Sequence, residues 1–365
     1  MKAIKHVENS DTPAALRGFL KSLLEKGAVE ALMVPLRARG GAVMPALVSN
    51  PALLDEADPL APVLAINGAR LVGALSIHPP RGRIGAVLRA CEVRALIELV
   101  KLQQASLEDL LIIGLDCAGT YTQAAYAKMI QDAPQAEHWR ELYADPLADR
   151  PLRDACRMCE RPLPENANIV IQLLGADLNV GIPITLPDEL GERLGLTPGA
   201  SPQRGEVAER LIAARTAARD AVFAEIRQQL SSPEGLAELF ATCIRCHNCM
   251  VNCPICYCKT CLFRTPAFDH EPAQYMTWAM RKGATRLPSD TLLFHLTRLN
   301  HMSTSCVGCG MCTDACPSEI PVGRVFRAVG EKTQAIFEYV PGRSVEEPLP
   351  VTTFREEELV EVAIP

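Results

Sequence analysis

Eight cysteines of this chain fall into two copies of one string. Cys243, Cys246, Cys249 and Cys253, followed by Pro254, spell C-x2-C-x2-C-x3-C-P, and Cys306, Cys309, Cys312 and Cys316, followed by Pro317, spell it again. Thiolates at this spacing hold cubane 4Fe–4S clusters, the fourth cysteine of each run serving the other cluster. Three thiolates at two-residue gaps can wrap one cubane from a single tight turn. The fourth does not easily complete the same cube, and the proline after it deflects the chain. The expected ligand sets are therefore crossed: Cys243, Cys246, Cys249 and Cys316 for cluster 1, and Cys306, Cys309, Cys312 and Cys253 for cluster 2. Gly308 and Gly310 leave backbone N–H groups free to approach the sulfides. Zinc also uses C-x2-C, but its ribbons need two separated pairs rather than four cysteines in one run.

The remaining cysteines form two groups. Cys256, Cys258 and Cys261 crowd behind the first motif, in Pro-Ile-Cys-Tyr-Cys-Lys-Thr-Cys. Two readings stand for them: a further cluster completed from elsewhere, by His247 or a partner chain, or small residues packed beside a cofactor. Cys156 and Cys159 make a chelating bite that still needs two ligands. Cys91 and Cys117, each closing an apolar run, are either those ligands or ordinary core residues.

Fifteen cysteines in 365 residues are far from the disulfide frameworks of small secreted chains, and clustered thiols in a reducing compartment point to metal. The segment Met1–Thr12 is polar and has no apolar core of a secretory signal. Nothing reaches the roughly 18 consecutive apolar residues of a membrane span, so a soluble, cytoplasmic protein is expected. The net charge is −6 with both signs interspersed, and no basic stripe interleaved with aromatics supports a nucleic-acid partner.

These residues must be positioned by at least two domains. Up to about Gly175, strand-length apolar runs (Ala31–Leu36, Ala42–Val48, Arg83–Cys91, Asp109–Cys117, Asn168–Leu174) alternate with helical patterns such as Glu92–Gln104. That alternation predicts an α/β domain with a partly parallel sheet. Leu186–Gly205, rich in Pro and Gly, reads as a connector. Glu206–Leu230 reads as a helix burying Val207, Leu211, Val222, Ile226 and Leu230. Between the two motifs, Ser289 or Asp290 is expected to cap a helix whose apolar side is Leu292, Leu293, Leu296 and Leu299. The predicted division is residues 1–195 as the α/β domain, 196–235 as a linker helix, 236–330 as a mainly α-helical two-cluster ferredoxin-like domain, and 331–365 as a loosely ordered tail with acidic pairs.

The long helical insert resembles the α-helical ferredoxin domains of heterodisulfide reductases and succinate dehydrogenase iron–sulfur subunits, over roughly Ala237 to Val329. The N-terminal half resembles the β subunits of coenzyme F-420 hydrogenases and dehydrogenases, including the formate dehydrogenase β subunit. The carrying residues are Arg83-Ile-Gly-Ala-Val-Leu-Arg-Ala-Cys91-Glu-Val-Arg-Ala-Leu96, Leu111-Ile-Ile-Gly-Leu-Asp-Cys117, Cys156-Arg-Met-Cys159, Ala167-Asn-Ile-Val-Ile and Gly175. The family's Gly-Gly followed by Ser or Thr is here Gly40-Gly41 followed by Ala42. The resemblance implies FAD beside a 4Fe–4S cluster in this half, with Asn50, Arg89, Glu92 and Arg94 in the flavin's vicinity. No G-x-G-x-x-G fingerprint or P-loop is present. A third cluster on Cys91, Cys117, Cys156 and Cys159 also has a geometric basis. If Arg83–Cys91 and Asp109–Cys117 are neighbouring parallel strands joined by the intervening helix, both thiols stand at one edge of the sheet.

The functional expectation is an iron–sulfur flavoprotein subunit of a larger oxidoreductase. It would relay electrons between a catalytic subunit of formate dehydrogenase or hydrogenase type, with heterodisulfide-reductase-like subunits as further partners, and a carrier. Two alternatives are a cluster-only electron-transfer module and a heterodisulfide-reductase-like enzyme built on Cys256, Cys258 and Cys261. No nucleophile–base constellation marks a catalytic residue.

Overall fold

The structure, a computed structural model, describes residues 1–77, 82–133, 136–199, 203–268, 270–283 and 290–353. It divides into two compact units, Met1–Arg219 with Gly342–Glu347, and Asp220–Pro341 with the segment from Pro348. Among the described residues no helix is long and apolar enough to cross a membrane.

The first unit is an α/β domain. Its strands are β1 (Lys2–His6), β2 (Ala31–Arg37), β3 (Val43–Val48), β4 (Ile84–Arg89), β5 (Leu110–Leu115), β6 (Ile169–Ile171), β7 (Gly181–Thr185) and β8 (Thr197–Pro198). They form one sheet in the order β3-β2-β4-β5-β6-β7-β1-β8. The run β2-β4-β5-β6 is parallel and the outer pairs are antiparallel, so the expected partly parallel sheet is what the chain forms. Every residue of β4 and β5 is buried, as befits central strands covered on both faces and built of continuous apolar sequence. Leu16, Phe19, Leu20 and Leu23, spaced on one face of the helix Thr12–Glu25, pack with Leu32, Val34, Ile113 and Ile182 of the sheet. Each such side chain contributes about 1.5–3 kcal/mol by leaving water.

Three strands escaped the sequence reading. The alternation of β1 is too short and too polar to stand out, and it becomes a strand by pairing antiparallel with β7, Ile4 opposite Pro183. The expected connector Leu186–Gly205 contains the helix Asp188–Leu194 and β8. The strand expected to run to Cys91 stops at Arg89, because Glu92 accepts a hydrogen bond from Arg89 N at 2.8 Å and starts the helix Ala90–Lys101. Cys91 therefore opens a helix rather than closing a strand.

The second unit is helical, as expected. Its principal helices are Pro233–Leu239, Pro272–Lys282, Thr291–Met302 and Val322–Ile336, and short helices Asn248–Val251 and Met311–Asp314 sit inside the two cysteine motifs. The long helix expected over Glu206–Leu230 runs Arg204–Gln229, its part up to Arg219 belonging to the first unit, where Leu211 is buried, and its remainder to the second, where Phe223 and Ile226 are buried. Val207, Val222 and Leu230 are only half-buried.

One helix face is corrected. In Thr291–Met302 the leucines Leu293 and Leu296 are exposed at 51% and 45%, while Thr291, Phe294, His295, Arg298 and Met302 are buried. The face chosen by hydrophobicity alone was wrong because the interior it meets is lined with thiols, which reward a cation and an imidazole. Asp290 stands at the head of this helix without a capping hydrogen bond and pairs instead with Arg245, 2.5 Å away. Ser289 lies outside the described residues.

The tail is also less loose than expected. The helix Val322–Ile336 extends past residue 330. Gly342 N donates to Glu98 Oε1 at 2.8 Å, and Asn166 Nδ2 donates to the carbonyls of Gly342 and Arg343 at 3.0 and 2.8 Å. The acidic run Glu356–Glu358 lies outside the described residues.

Candidate metal centres

The two motifs share one backbone path. In the second, Gly308 and Gly310 have φ of +72° and +73°. In the first, the corresponding positions are not glycines, yet Arg245 and His247 adopt φ of +55° and +61°. Each loop then enters a four-residue helix, Asn248–Val251 or Met311–Asp314. Left-handed residues alternating with right-handed ones turn successive N–H groups into a concave anion-binding nest. A left-handed L-residue costs roughly 1–2 kcal/mol, and the first motif carries that strain twice.

The thiols gather in crossed sets. Cys249, whose thiol burial pushes up to about 11, has Cys243, Cys316 and Cys246 as its charge neighbours besides Arg298. Cys243 is likewise raised by burial, with Cys316 and Cys246 adding to the effect. Cys253, pushed by burial up to about 12, has Cys309, Cys256 and Cys306 around it. Cys312 is raised by burial and by Cys253, Cys309 and Cys306. Cys316 thus joins the first motif's trio and Cys253 the second's. Burial makes these thiols reluctant to ionise, and bound iron would supply the positive charge that turns them into thiolates. Among the described residues no three His, Cys, Asp or Glu side chains converge on a single metal-ion position.

Two side chains unnoticed in the sequence face these thiols. His295 Nε2 lies 3.3 Å from Cys243 Sγ. Arg298 donates from Nη1 to Cys249 Sγ at 3.1 Å and from Nη2 to Cys249 O at 3.0 Å. Both lie on the buried stripe of Thr291–Met302, and a titratable pair three residues apart in register with Phe294 and Met302 was the available signal. Cys256 has Cys258 and Cys261 as charge neighbours, and Cys261 Sγ contacts Met250 Sδ at 3.6 Å. His247, offered above as their fourth ligand, packs against Phe294 with ring centroids 4.7 Å apart and has Arg245, Arg264, Asp290 and Arg298 as charge neighbours.

In the first unit, Arg89 pairs with Leu115 in the register of β4 and β5. Cys91 and Cys117 each follow by two residues, so both leave the same edge of adjacent parallel strands. Cys117, pushed by burial up to about 11, has Arg89, Cys156 and Cys159 as charge neighbours, and Arg89 also faces Cys91. The Cys156 thiol lies 3.3 Å from Thr120 Oγ1, which Arg153 Nη1 approaches at 3.4 Å. Asp116, fully buried beside Cys117, fixes this edge. It takes Arg204 Nη2 and Nε at 2.6 and 2.9 Å and Leu173 N at 3.1 Å.

The residues expected near a flavin are largely engaged by the framework. Asn50 caps the turn Pro51–Glu56, accepting from Ala52 N at 3.1 Å. Glu92 accepts from Gly68 N at 2.7 Å as well as from Arg89 N. Arg89 donates to the Ala61 carbonyl. Arg94 lies under Gly342, where a side chain would meet the Arg94 backbone. Asn67 Nδ2, buried at the head of the helix Gly68–Ile77, has no partner among the described residues. It is a polar donor that a bound cofactor could use. Gly40 and Gly41, the departure from the family's Gly-Gly-Ser/Thr, make the β2–β3 turn at φ of +83° and +82°.

The second unit is an iron–sulfur module: residues 239–320 match the family model of the 4Fe–4S dicluster domain. Over 94% of each chain, the protein is 24% identical to the F420-dependent formate dehydrogenase 1 subunit beta of Methanococcus maripaludis. It is also 24% identical, over 71% of its length and 74% of the relative's, to the F420-dependent formate dehydrogenase subunit beta of Methanocaldococcus jannaschii. These relatives bear out the resemblance read from the sequence. A chain of the F420-reducing nickel–iron hydrogenase complex from Methanosarcina barkeri superposes on 61% of this chain and 92% of its own, with a TM-score of 0.46 and 11% identity.

Proposed function

We propose that this chain is the electron-relay subunit of a formate dehydrogenase-type oxidoreductase, binding 4Fe–4S clusters and FAD. The observation that supports it most is similarity along 94% of both chains to a formate dehydrogenase beta subunit, combined with thiols gathered in crossed sets. Cluster 1 is held by Cys243, Cys246, Cys249 and Cys316, cluster 2 by Cys306, Cys309, Cys312 and Cys253, and a third by Cys91, Cys117, Cys156 and Cys159. Clusters carry single electrons, and FAD when bound adds hydride exchange with a two-electron carrier. The relatives' names make a deazaflavin the first carrier to try. Arg89 and the free amide of Asn67 are the groups fitted to hold the flavin's polar edge. The partners are a catalytic subunit of formate dehydrogenase or hydrogenase type and, in a larger assembly, heterodisulfide-reductase-like subunits.

Anaerobic purification of the whole chain tests this reading. It predicts about twelve irons per chain for three cubanes and close to one FAD released on denaturation. The engagement of Asn50, Glu92 and Arg94 by the framework favours a second reading, a cluster-only module. Full iron without flavin would select it.

A further inference from the structure

Arg298 is buried at 4% exposure, where an isolated cation would be costly. Its surroundings explain its presence. The guanidinium bonds to the sulfur and carbonyl of Cys249. It also lies over the rings of Phe326 and Phe294, at 4.9 and 5.5 Å from their centroids. Burial works against its charge, yet the combined fields of Cys249, Cys253, Cys312 and Cys256 hold its pKa above the ordinary value. Those thiols belong to different sets: Cys249 to cluster 1, Cys253 and Cys312 to cluster 2, and Cys256 to the trio behind the first motif. One N–H remains over: Arg298 Nε is buried without a partner among the described residues. Besides its two bonds to Cys249, the guanidinium is also a hydrogen-bond partner of the Cys256 side chain.

We propose that Arg298 is a counter-cation shared by the two clusters, raising the reduction potential of cluster 1 and weakening the repulsion between electrons placed on both. The inference rests on the cluster assignment above. One-electron reduction of a cubane makes and breaks no bond; it adds one negative charge in a poorly screened interior. A fixed guanidinium bonded to Cys249 and within the electrostatic reach of Cys253 and Cys312 lowers the cost of that charge at each cluster, and its N–H···S bond to Cys249 acts most strongly on cluster 1. The second electron then meets a neighbour already partly neutralised, so both clusters fill over a narrower span of potential.

The test is a dithionite titration of the anaerobic full chain, followed by electron paramagnetic resonance, for wild type, Arg298→Gln and Arg298→Lys. At the wild-type midpoint of cluster 1, Arg298→Gln is expected to lower the reduced-to-oxidised ratio about tenfold, equal to about 59 mV for one electron. The separation between the two midpoints should widen. Arg298→Lys keeps the charge and should stay within about threefold. Unchanged midpoints in Arg298→Gln with full iron would overturn the proposal and leave Arg298 a packing residue. If Arg298→Gln loses its clusters, Arg298→Lys decides: full iron with a shift under about threefold supports the charge, and loss of iron there too assigns Arg298 to folding and refutes the proposal. Wild-type protein lacking both clusters would instead refute the ligand assignment, a separate failure.

Discussion

His295 holds its Nε2 3.3 Å from Cys243 Sγ while its ring stacks on Phe240, with centroids 3.9 Å apart and an interplanar angle of 14°. Burial first, then Arg298 and His247, hold the imidazole down to a pKa of about 3. The ring is therefore neutral at ordinary pH and shares a hydrogen bond between Nε2 and the sulfur. In the unfolded chain it titrates near 6.5.

The sign of the resulting pH dependence follows. Below about 6.5 the unfolded chain takes up a proton that the folded chain refuses, so stability from this group is complete above that pH and is lost as pH falls toward 3. The slope is at most about 1.4 kcal/mol per pH unit. Anaerobic thermal melts between about pH 5 and pH 7 should show a falling melting temperature in wild type and a flatter profile in His295→Gln. Equal slopes in both would show that His295 titrates normally.

Crossed ligation predicts that Cys316→Ala damages cluster 1, on Cys243, Cys246 and Cys249, and spares the irons nearest to it in sequence. The two clusters are to be separated by their paramagnetic signals or midpoints. Loss of the cluster on Cys306, Cys309 and Cys312 instead would mean that each motif closes on itself.

For the first unit, Cys156→Ser combined with Cys159→Ser should remove about four irons per chain, one cubane, with both dicluster signals intact. The basis is the convergence of Cys156 and Cys159 on Cys117 at the end of β5. Unchanged iron in folded protein would reduce these cysteines to packing.

Two glycines should respond with opposite signs. Gly310 sits at φ of +73° where the second motif turns, so Gly310→Ala should cost about 1–2 kcal/mol and lower cluster occupancy. Gly205, in the helix Arg204–Gln229, has nothing within 4 Å of an added side-chain carbon. Gly205→Ala should stabilise by about 0.4–1 kcal/mol. Denaturant melts of both variants give the comparison, and equal effects would contradict the strain assigned to the motif.

The sequence by itself determined the dicluster chemistry, because the duplicated C-x2-C-x2-C-x3-C-P string is a local signal whose spacing is the chemistry. It also determined the parallel heart of the sheet, since β4 and β5 are buried on both faces and must be apolar throughout. It had no means of finding β1, β7 and β8, whose strand character comes from pairing between residues far apart in the chain. Nor could hydrophobicity orient the helix Thr291–Met302. That helix turns Leu293 and Leu296 outward and His295 and Arg298 inward, since a nest of thiols favours a cation and an imidazole over hydrocarbon. Only the tertiary structure reveals that nest, by bringing Cys316 to Cys243 and Cys253 to Cys306. For the same reason the left-handed turns at Arg245 and His247 stayed hidden: nothing in an arginine or a histidine announces a backbone that the loop around a cluster imposes.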